Sequence, residues 1–268
     1  MEITSRSNEK VKYIKSLNDK KYRNKYHAFY IEGVKVISEL LDIYKKKAVN
    51  IEFIAYSIDI INKVKGSDEL IKKIKKSDIL VCELSENVFR DISDAVNSQG
   101  IIAVIRYEEK SLNDLDISKN ILILDKVQDS GNVGTIIRSA NAFGIYDIIC
   151  IKGTADIYSP KVVRSTMLSV VKTNIVYVDS TDDLISFLKK NNFEVISTSL
   201  NTENYLDSNT FKNKCAIVLG NESSGVEENL LQLSDKIVKI KIEDVVESLN
   251  VAQASAILLY EQFKQKLN

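Results

Sequence analysis

Short apolar runs rich in β-branched residues recur along the 268-residue chain, each followed by a stretch with helical spacing. Ala28 to Glu32, Ile51 to Tyr56, Ile79 to Glu83 and Ile101 to Ile105 make one series. Ile121 to Leu124, Ile148 to Ile151, Ile175 to Val178, Val195 to Thr198, Ala216 to Leu219 and Ile237 to Ile242 make a second. Runs of this length predict strands, and strands alternating with helices predict an α/β fold on a parallel sheet. A polar stretch, Glu108 to Asp116, separates the series, which puts a smaller domain at 1–108, a linker at 109–118 and a second domain at 119–268. The last helix carries Leu249, Ala252, Ala256, Leu259 and Phe263 as one apolar stripe, with Ile257, Leu258 and Tyr260 beside it. So wide a face meets either a partner subunit as well as its own sheet, or simply a deep core.

Composition changes this picture little. Hydrophobic residues at 44% and charged residues at 28% argue against disorder and fibre. No apolar run approaches a membrane span, and Met1-Glu2-Ile3 opens a charged segment without the apolar core of a signal peptide, so a cytoplasmic location is expected. Cys82, Cys150 and Cys215 lie far apart in or beside apolar runs. They read as reduced core thiols, and no metal site is expected.

Net charge is zero, but its distribution is uneven. From Met1 to Tyr26, Arg6, Lys10, Lys12, Lys15, Lys20, Lys21, Arg23 and Lys25 face only Glu2, Glu9 and Asp19, and Tyr13, Tyr22 and Tyr26 are interleaved. Lysines for phosphates and rings for bases suit an RNA partner; a solvated, lysine-rich helix is the other reading.

Three motifs follow strands of the second series. In Asp125-Lys126-Val127-Gln128-Asp129-Ser130-Gly131-Asn132, Asn132 suits a helix N-cap; Val133, Ile136, Ile137, Ala140 and Phe143 form the buried stripe, and Gly144 marks the stop. Arg138 lies off that stripe, either reaching back toward Asn132 or serving as an ordinary surface arginine. In Gly220-Asn221-Glu222-Ser223-Ser224-Gly225, the glycines allow close approach to a ligand, and Glu222 can fasten a loop by accepting N–H bonds; a plain tight turn is the alternative. In Glu247-Ser248-Leu249-Asn250-Val251, Ser248 reads as the N-cap of the last helix. Ligands of parallel sheets sit at such strand ends. P-loop, nucleophile-elbow and dinucleotide fingerprints are absent.

The combination Asn132-x-Gly134-x-x-x-Arg138, Gly220-x-Glu222-x-x-Gly225 and Glu247-Ser248-Leu249-Asn250-Val251 closely resembles the SpoU (TrmH) family of SPOUT methyltransferases, over roughly Ile121 to Leu267. Ser159-Pro160-Lys161-Val162-Val163-Arg164 matches a further family segment. Phe29 to Lys35 and the stretch near Ser98-Gln99-Gly100-Ile101 resemble the substrate-recognition domain that many members carry. The resemblance implies a C-terminal trefoil knot that dimerises, a smaller N-terminal α/β RNA-recognition domain, and transfer of a methyl group from S-adenosylmethionine to an RNA ribose 2′-hydroxyl. It implies Gly220, Ile240 and Leu249 against the cofactor, and Asn132, Arg138, Glu222, Ser248 and Asn250 around the chemistry. Lys10, Lys12, Lys20, Lys21, Arg23 and Lys35 are the expected RNA contacts.

Four positions depart from the family pattern. Ser130 and Lys241 stand where proline is usual, and Asp244 and Leu168 where glycine is usual. Glycine permits φ > 0, so Asp244 bears on cofactor binding more than on fold. A guanidinium holds its protons too tightly to serve readily as a general base, which makes Arg138 a better ligand for phosphate or a developing oxyanion. The lone histidine, His27, reads as substrate-side or structural. Alternatives are an RNA-binding assembly protein that kept the fold without the chemistry, a transfer-RNA ribose methyltransferase, and an enzyme acting on a base nitrogen. The N-terminal domain leans toward ribosomal RNA.

Overall fold

A computed structural model describes residues 2–46 and 49–265. The outer ends of the expected domains at 1 and 268, and the end of the resemblance at Leu267, lie outside the described residues. The chain forms two compact units, Met1–Glu108 with Tyr158–Val171, and Glu109–Ile157 with Lys172–Asn268.

The first unit runs α1 (Glu9–Ser16), α2 (Lys20–Tyr26), β1 (Ala28–Glu32), α3 (Val34–Tyr44), β2 (Asn50–Tyr56), α4 (Ile58–Ile61), α5 (Ser67–Lys75), β3 (Val81–Glu83), α6 (Glu86–Ile92) and β4 (Ile101–Arg106). Its sheet order is β1-β4-β2-β3. β4 is antiparallel to both β1 and β2, while β2 and β3 are parallel. The sheet is therefore mixed, which corrects the expectation of parallel pairing throughout. The last strand of the unit enters between two earlier ones against their direction, so helix–strand alternation alone did not fix its sense. Ile101 to Ile105 are all buried, and Val11, Ile14, Phe53, Val88 and Phe89 share one core with Ile102 and Val104.

α1 and α2 are both capped by side chains, Asn8 accepting from the Lys10 N–H and Asp19 from the Lys21 N–H. His27 ends α2 in the left-handed region at φ 46°, and its ring meets Tyr107 edge-on at 5.8 Å. The histidine thus has a structural place. α8 (Pro160–Thr166) belongs to this unit and lies on β1. Tyr158 stacks on Tyr107 at 3.9 Å and on Phe29 at 5.0 Å, and Arg164 pairs with Asp94 at 2.9 Å.

The second unit contains β5 (Ile121–Leu124), α7 (Ser130–Ala142), β6 (Asp147–Ile151), β7 (Asn174–Val178), α9 (Thr181–Lys190), β8 (Glu194–Thr198), β9 (Cys215–Leu219), α10 (Glu228–Leu233), β10 (Lys236–Val238) and α11 (Val251–Gln265). Its six strands are all parallel, in the order β10-β8-β9-β5-β6-β7. The central strands β9, β5 and β6 are buried along their whole length, which is why they read as unbroken apolar runs. The expected strand Ile237–Ile242 stops at Val238; beyond it Lys239 makes only an isolated bridge with Tyr205.

The stretch 109–118 is built into this unit rather than left as a free linker. Lys110 bridges to Val176, Ser111 and Asp114 close a capping box, and Leu115 enters the core. On α11 the buried positions are Ala252, Ser255, Leu258, Leu259 and Gln262, so the inner face is turned from the expected stripe, and Ile257 and Tyr260 are exposed. Cys82, Cys150 and Cys215 are buried and form no disulfide with a described residue, and burial holds the Cys150 thiol well above its ordinary range. Among the described residues no helix is long and apolar enough to cross a membrane, and no group of three or more His, Cys, Asp or Glu could hold a metal ion.

Candidate active site

The three motifs meet at the carboxyl ends of β5, β9 and β10. α7 begins at Ser130 with Asp129 as its N-cap, the carboxylate accepting from the Asn132 N–H at 2.8 Å. Asn132, expected as the cap, instead sits in the first turn. Its side chain is thereby released to bridge the other motifs. Asn132 Nδ2 donates to Glu222 Oε1 at 2.9 Å, and Asn132 Oδ1 accepts from Asn250 Nδ2 at 2.9 Å.

Glu222 also accepts the backbone N–H groups of Gln128 and Asp129, each at 3.2 Å. Desolvation pushes its carboxyl up, but the bonds from Asn132 and from the backbone together outweigh that and hold it below the ordinary glutamate value. It stays ionised as a tether of the first motif's loop. The loop that carries it is closed on itself: Asn221 and Gly225 exchange two backbone bonds of 3.0 Å, and Gly225 turns at φ +71°. A Cβ at Gly220 would stand 2.2 Å from the Gly225 carbonyl carbon, so no other residue fits there.

In the third motif Asn250 Oδ1 accepts from the Ala252 N–H at 2.9 Å, taking the capping place expected of Ser248. Ser248 is exposed at the rim of a cavity of about 330 Å³. Leu200, Ile240, Ile242, Leu249 and Leu258 give this cavity apolar walls, and Gly220, Glu222 and Asn250 also line it. Of the expected site residues the structure therefore gathers Gly220, Glu222, Ile240, Ser248, Leu249 and Asn250 around one space, with Asn132 bonded to two of them. Arg138 does not join. It is exposed, its side chain makes no hydrogen bond or ion pair with a described residue, and it lies roughly 120° round the helix from Asn132 at 100° per residue.

The expected RNA contacts divide. Lys12, Lys20, Lys21 and Lys35 are exposed. Arg23 is 4% exposed and donates to the Leu17 carbonyl at 2.6 Å, so its guanidinium serves the fold, which corrects its place among the RNA ligands. Lys10 is half-buried, with Nζ 3.2 Å from Cys82 Sγ and 5.1 Å from the Phe53 ring centroid. It too is engaged within its own unit.

Three further residues hold the loops together. Lys126 adopts φ 56°, its carbonyl accepts Asn221 Nδ2 at 2.8 Å, and its ammonium pairs with Glu227 at 2.7 Å. Asn221 Oδ1 accepts the Ser223 and Ser224 N–H groups. Asp125, nearly fully buried, accepts the Glu227 N–H at 2.7 Å, and burial pushes its carboxyl up. Asn221, inside the second motif, had a readable signal as a short polar residue able to turn a loop. A left-handed lysine has none.

A sequence profile of the SpoU rRNA Methylase family matches residues 119–260, and one of the MRM3-like substrate binding domain matches residues 8–103. The 23S rRNA (guanosine(2553)-2′-O)-methyltransferase RlmP of Bacillus subtilis (strain 168) is 32% identical over 266 residues, spanning 97% of this chain and 98% of its own. The chain belongs to the SpoU rRNA methylase family. A crystal structure of an rRNA methyltransferase from Sinorhizobium meliloti, 30% identical, covers 100% of this chain and 99% of its own with a TM-score of 0.83. Its form with bound AdoMet gives 0.84. A structure described as giving insight into 2-OH methylation on tRNA is 25% identical, with a TM-score of 0.51, and covers only 56% of this chain.

The SpoU fold is the knotted SPOUT architecture, an exception to the rule against threading, with the N-terminal domain appended. The cavity suits the methyl donor of the SpoU family. Its volume falls in the range of roughly 300–1,000 Å³ typical of ligand sites. Apolar walls and a backbone stripped of side chain at Gly220 accept an adenosine, and the one carboxylate at the rim, Glu222, favours a sulfonium cation. The lining ammonium, Lys239, is drawn to Glu203 at 3.7 Å and to the Tyr205 ring. Asp244, in the position usual for glycine, does not have positive φ, and near Leu168 it is Met167 that does. The glycine departures therefore impose no left-handed strain where they occur.

Proposed function

We propose that this protein transfers a methyl group from S-adenosylmethionine to a ribose 2′-hydroxyl of ribosomal RNA, in the cytoplasm, as a homodimer. One observation carries the reading: Asn250, Asn132 and Glu222, one from each motif, form a continuous hydrogen-bonded chain at the mouth of the apolar cavity. When bound, the donor supplies an electrophilic methyl. Gly220, Ile240 and Leu249 hold it against the strand ends. The amides of Asn132 and Asn250 are fixed by one bond each way, which leaves a second N–H on each to orient the ribose at little cost in entropy. Glu222 orients Asn132 and the loop at Gln128–Asp129. Arg138, exposed and outside this cavity, meets a phosphate of the RNA, and Ser248 at the rim accepts a hydrogen bond from the 2′-hydroxyl or from the water that takes up its proton as the oxygen–methyl bond forms.

Ribosomal rather than transfer RNA is favoured because relatives that span both units are named for rRNA, whereas the structure linked to tRNA covers little more than half of the chain. The first unit supplies substrate recognition, as the substrate-binding profile over 8–103 suggests. The dimer is supported by α11, where Ile257 and Tyr260 remain exposed beside Phe143, whose ring lies 5.7 Å from that of Tyr260. Ile257→Lys is expected to give monomers by light scattering.

The decisive experiment supplies labelled donor and ribosomal RNA from a deletion strain, then locates the methyl by nuclease digestion and mass spectrometry. A 2′-O-methyl nucleotide with wild type and none with Arg138→Ala is the expected result. A methyl on a base nitrogen, or turnover unchanged in Arg138→Ala, overturns it.

A further inference from the structure

The first unit carries a column of rings that starts in its core and ends at a basic surface. Phe53, 2% exposed, lies 6.2 Å from Tyr13. Tyr13 is held by a 2.9 Å bond from its hydroxyl to Glu52 and meets Tyr26 edge-on at 5.0 Å. Tyr26 in turn stacks with Tyr22 at 6.1 Å and 19° between planes, one helical turn apart on α2. Both outer rings are half-buried, while Lys21 and Lys25 beside them are exposed. Lys21 stands 5.9 Å from the Tyr22 centroid and Lys25 5.3 Å from that of Tyr26. Arg23 points the other way, into the unit, so the face is defined by two tyrosines and two lysines.

We infer that this face of α2 is a stacking platform for an unpaired nucleotide of the RNA substrate, with Tyr22 as the outer rung. The inference rests on the reading that the chain acts on RNA. A ring fixed by a column anchored in the core loses little freedom when a base is laid against it, and base–aromatic stacking is worth roughly 1–3 kcal/mol per base. A duplex keeps its base faces stacked inside, where a ring cannot lie against them. The occupant is therefore single-stranded, and the two lysines track its backbone. This assignment separates two kinds of residue that composition merges: lysines that set salt dependence, and a ring that sets preference for unpaired bases.

The test uses the full chain, a short unstructured RNA oligonucleotide and the same sequence as a duplex, with binding read by fluorescence anisotropy over a range of salt. Tyr22→Leu is expected to weaken single-strand binding between roughly fivefold and a hundredfold with the salt slope unchanged. Tyr22→Phe should stay within about twofold, because the ring face is kept. Replacing Lys21 and Lys25 by Gln together should lower the slope by about 1.4, at roughly 0.7 per phosphate contact on a single strand. Wild-type affinity in Tyr22→Leu, with methyl transfer to RNA intact, overturns the platform and leaves the function standing. Absence of RNA binding by the wild-type chain overturns both.

Discussion

The loop after β9 and the loop before α11 border the same cavity but are held in opposite ways. The first is closed by two backbone bonds between Asn221 and Gly225, docked on the Lys126 carbonyl through Asn221, and tied to Gln128, Asp129 and Asn132 through Glu222. The second holds no more than a turn at Asp244–Val245, is exposed from Glu243 to Ser248, and leaves Val245 87% exposed. Segments with few bonds and little burial open at low free energy, whereas a loop bonded on several sides opens only with its surroundings. One loop of the site is thus a fixed reference against which the ribose can be placed, and the other is free to settle on the methyl donor.

The largest effect should come from cutting the centre of the fixed side. Asn132→Ala removes the residue that joins all three motifs and is expected to lower single-turnover methyl transfer by roughly 10²–10³-fold while donor binding persists. Gly220→Ala comes next, since its Cβ would collide with backbone; calorimetry and thermal melts should show a loss of about 1–3 kcal/mol in both donor affinity and stability. Acid tests the tether separately. The Glu222 carboxyl is held below its ordinary value of 4.5, so its contribution is complete above that pH and is lost as pH falls through the depressed value. The melting-temperature gap between wild type and Glu222→Gln should be constant at neutral pH and close under acid conditions.

On the free side, saturating donor should slow protease cleavage within 242–249 severalfold and leave cleavage at 221–225 unchanged, as seen by mass spectrometry of the digest. The smallest effect is Asp244→Gly. Because Asp244 does not need a glycine conformation, donor affinity should change by less than about 0.5 kcal/mol. A large gain would show that the loop is strained after all.

Most strands and all three motifs were legible because strands buried on both faces are continuous apolar runs, and the motif residues lie within a few positions of their ends. Helix caps were not, because short polar residues cluster there: Asp129 and Asn250 take the places that Asn132 and Ser248 could equally have filled. Glu222 was readable as a fastener, but its partners at 128, 129 and 132 lie some ninety residues away and only the folded chain shows them. Arg23 and Lys10 read as solvent-facing cations because charge is visible in sequence and burial is not.

The place of α8 bears on how such proteins can be taken apart and recombined. It lies between β6 and β7 in sequence yet belongs with β1, so neither unit is one uninterrupted segment. A polypeptide beginning at residue 119 would carry Val162, Val163 and Thr166 without the strand that α8 lies on, leaving a sticky surface where the intact chain has a core. Grafting a new recognition module at 109–118 therefore requires a matching α8 as well, and specificity in this architecture is inherited through two separated stretches of the gene.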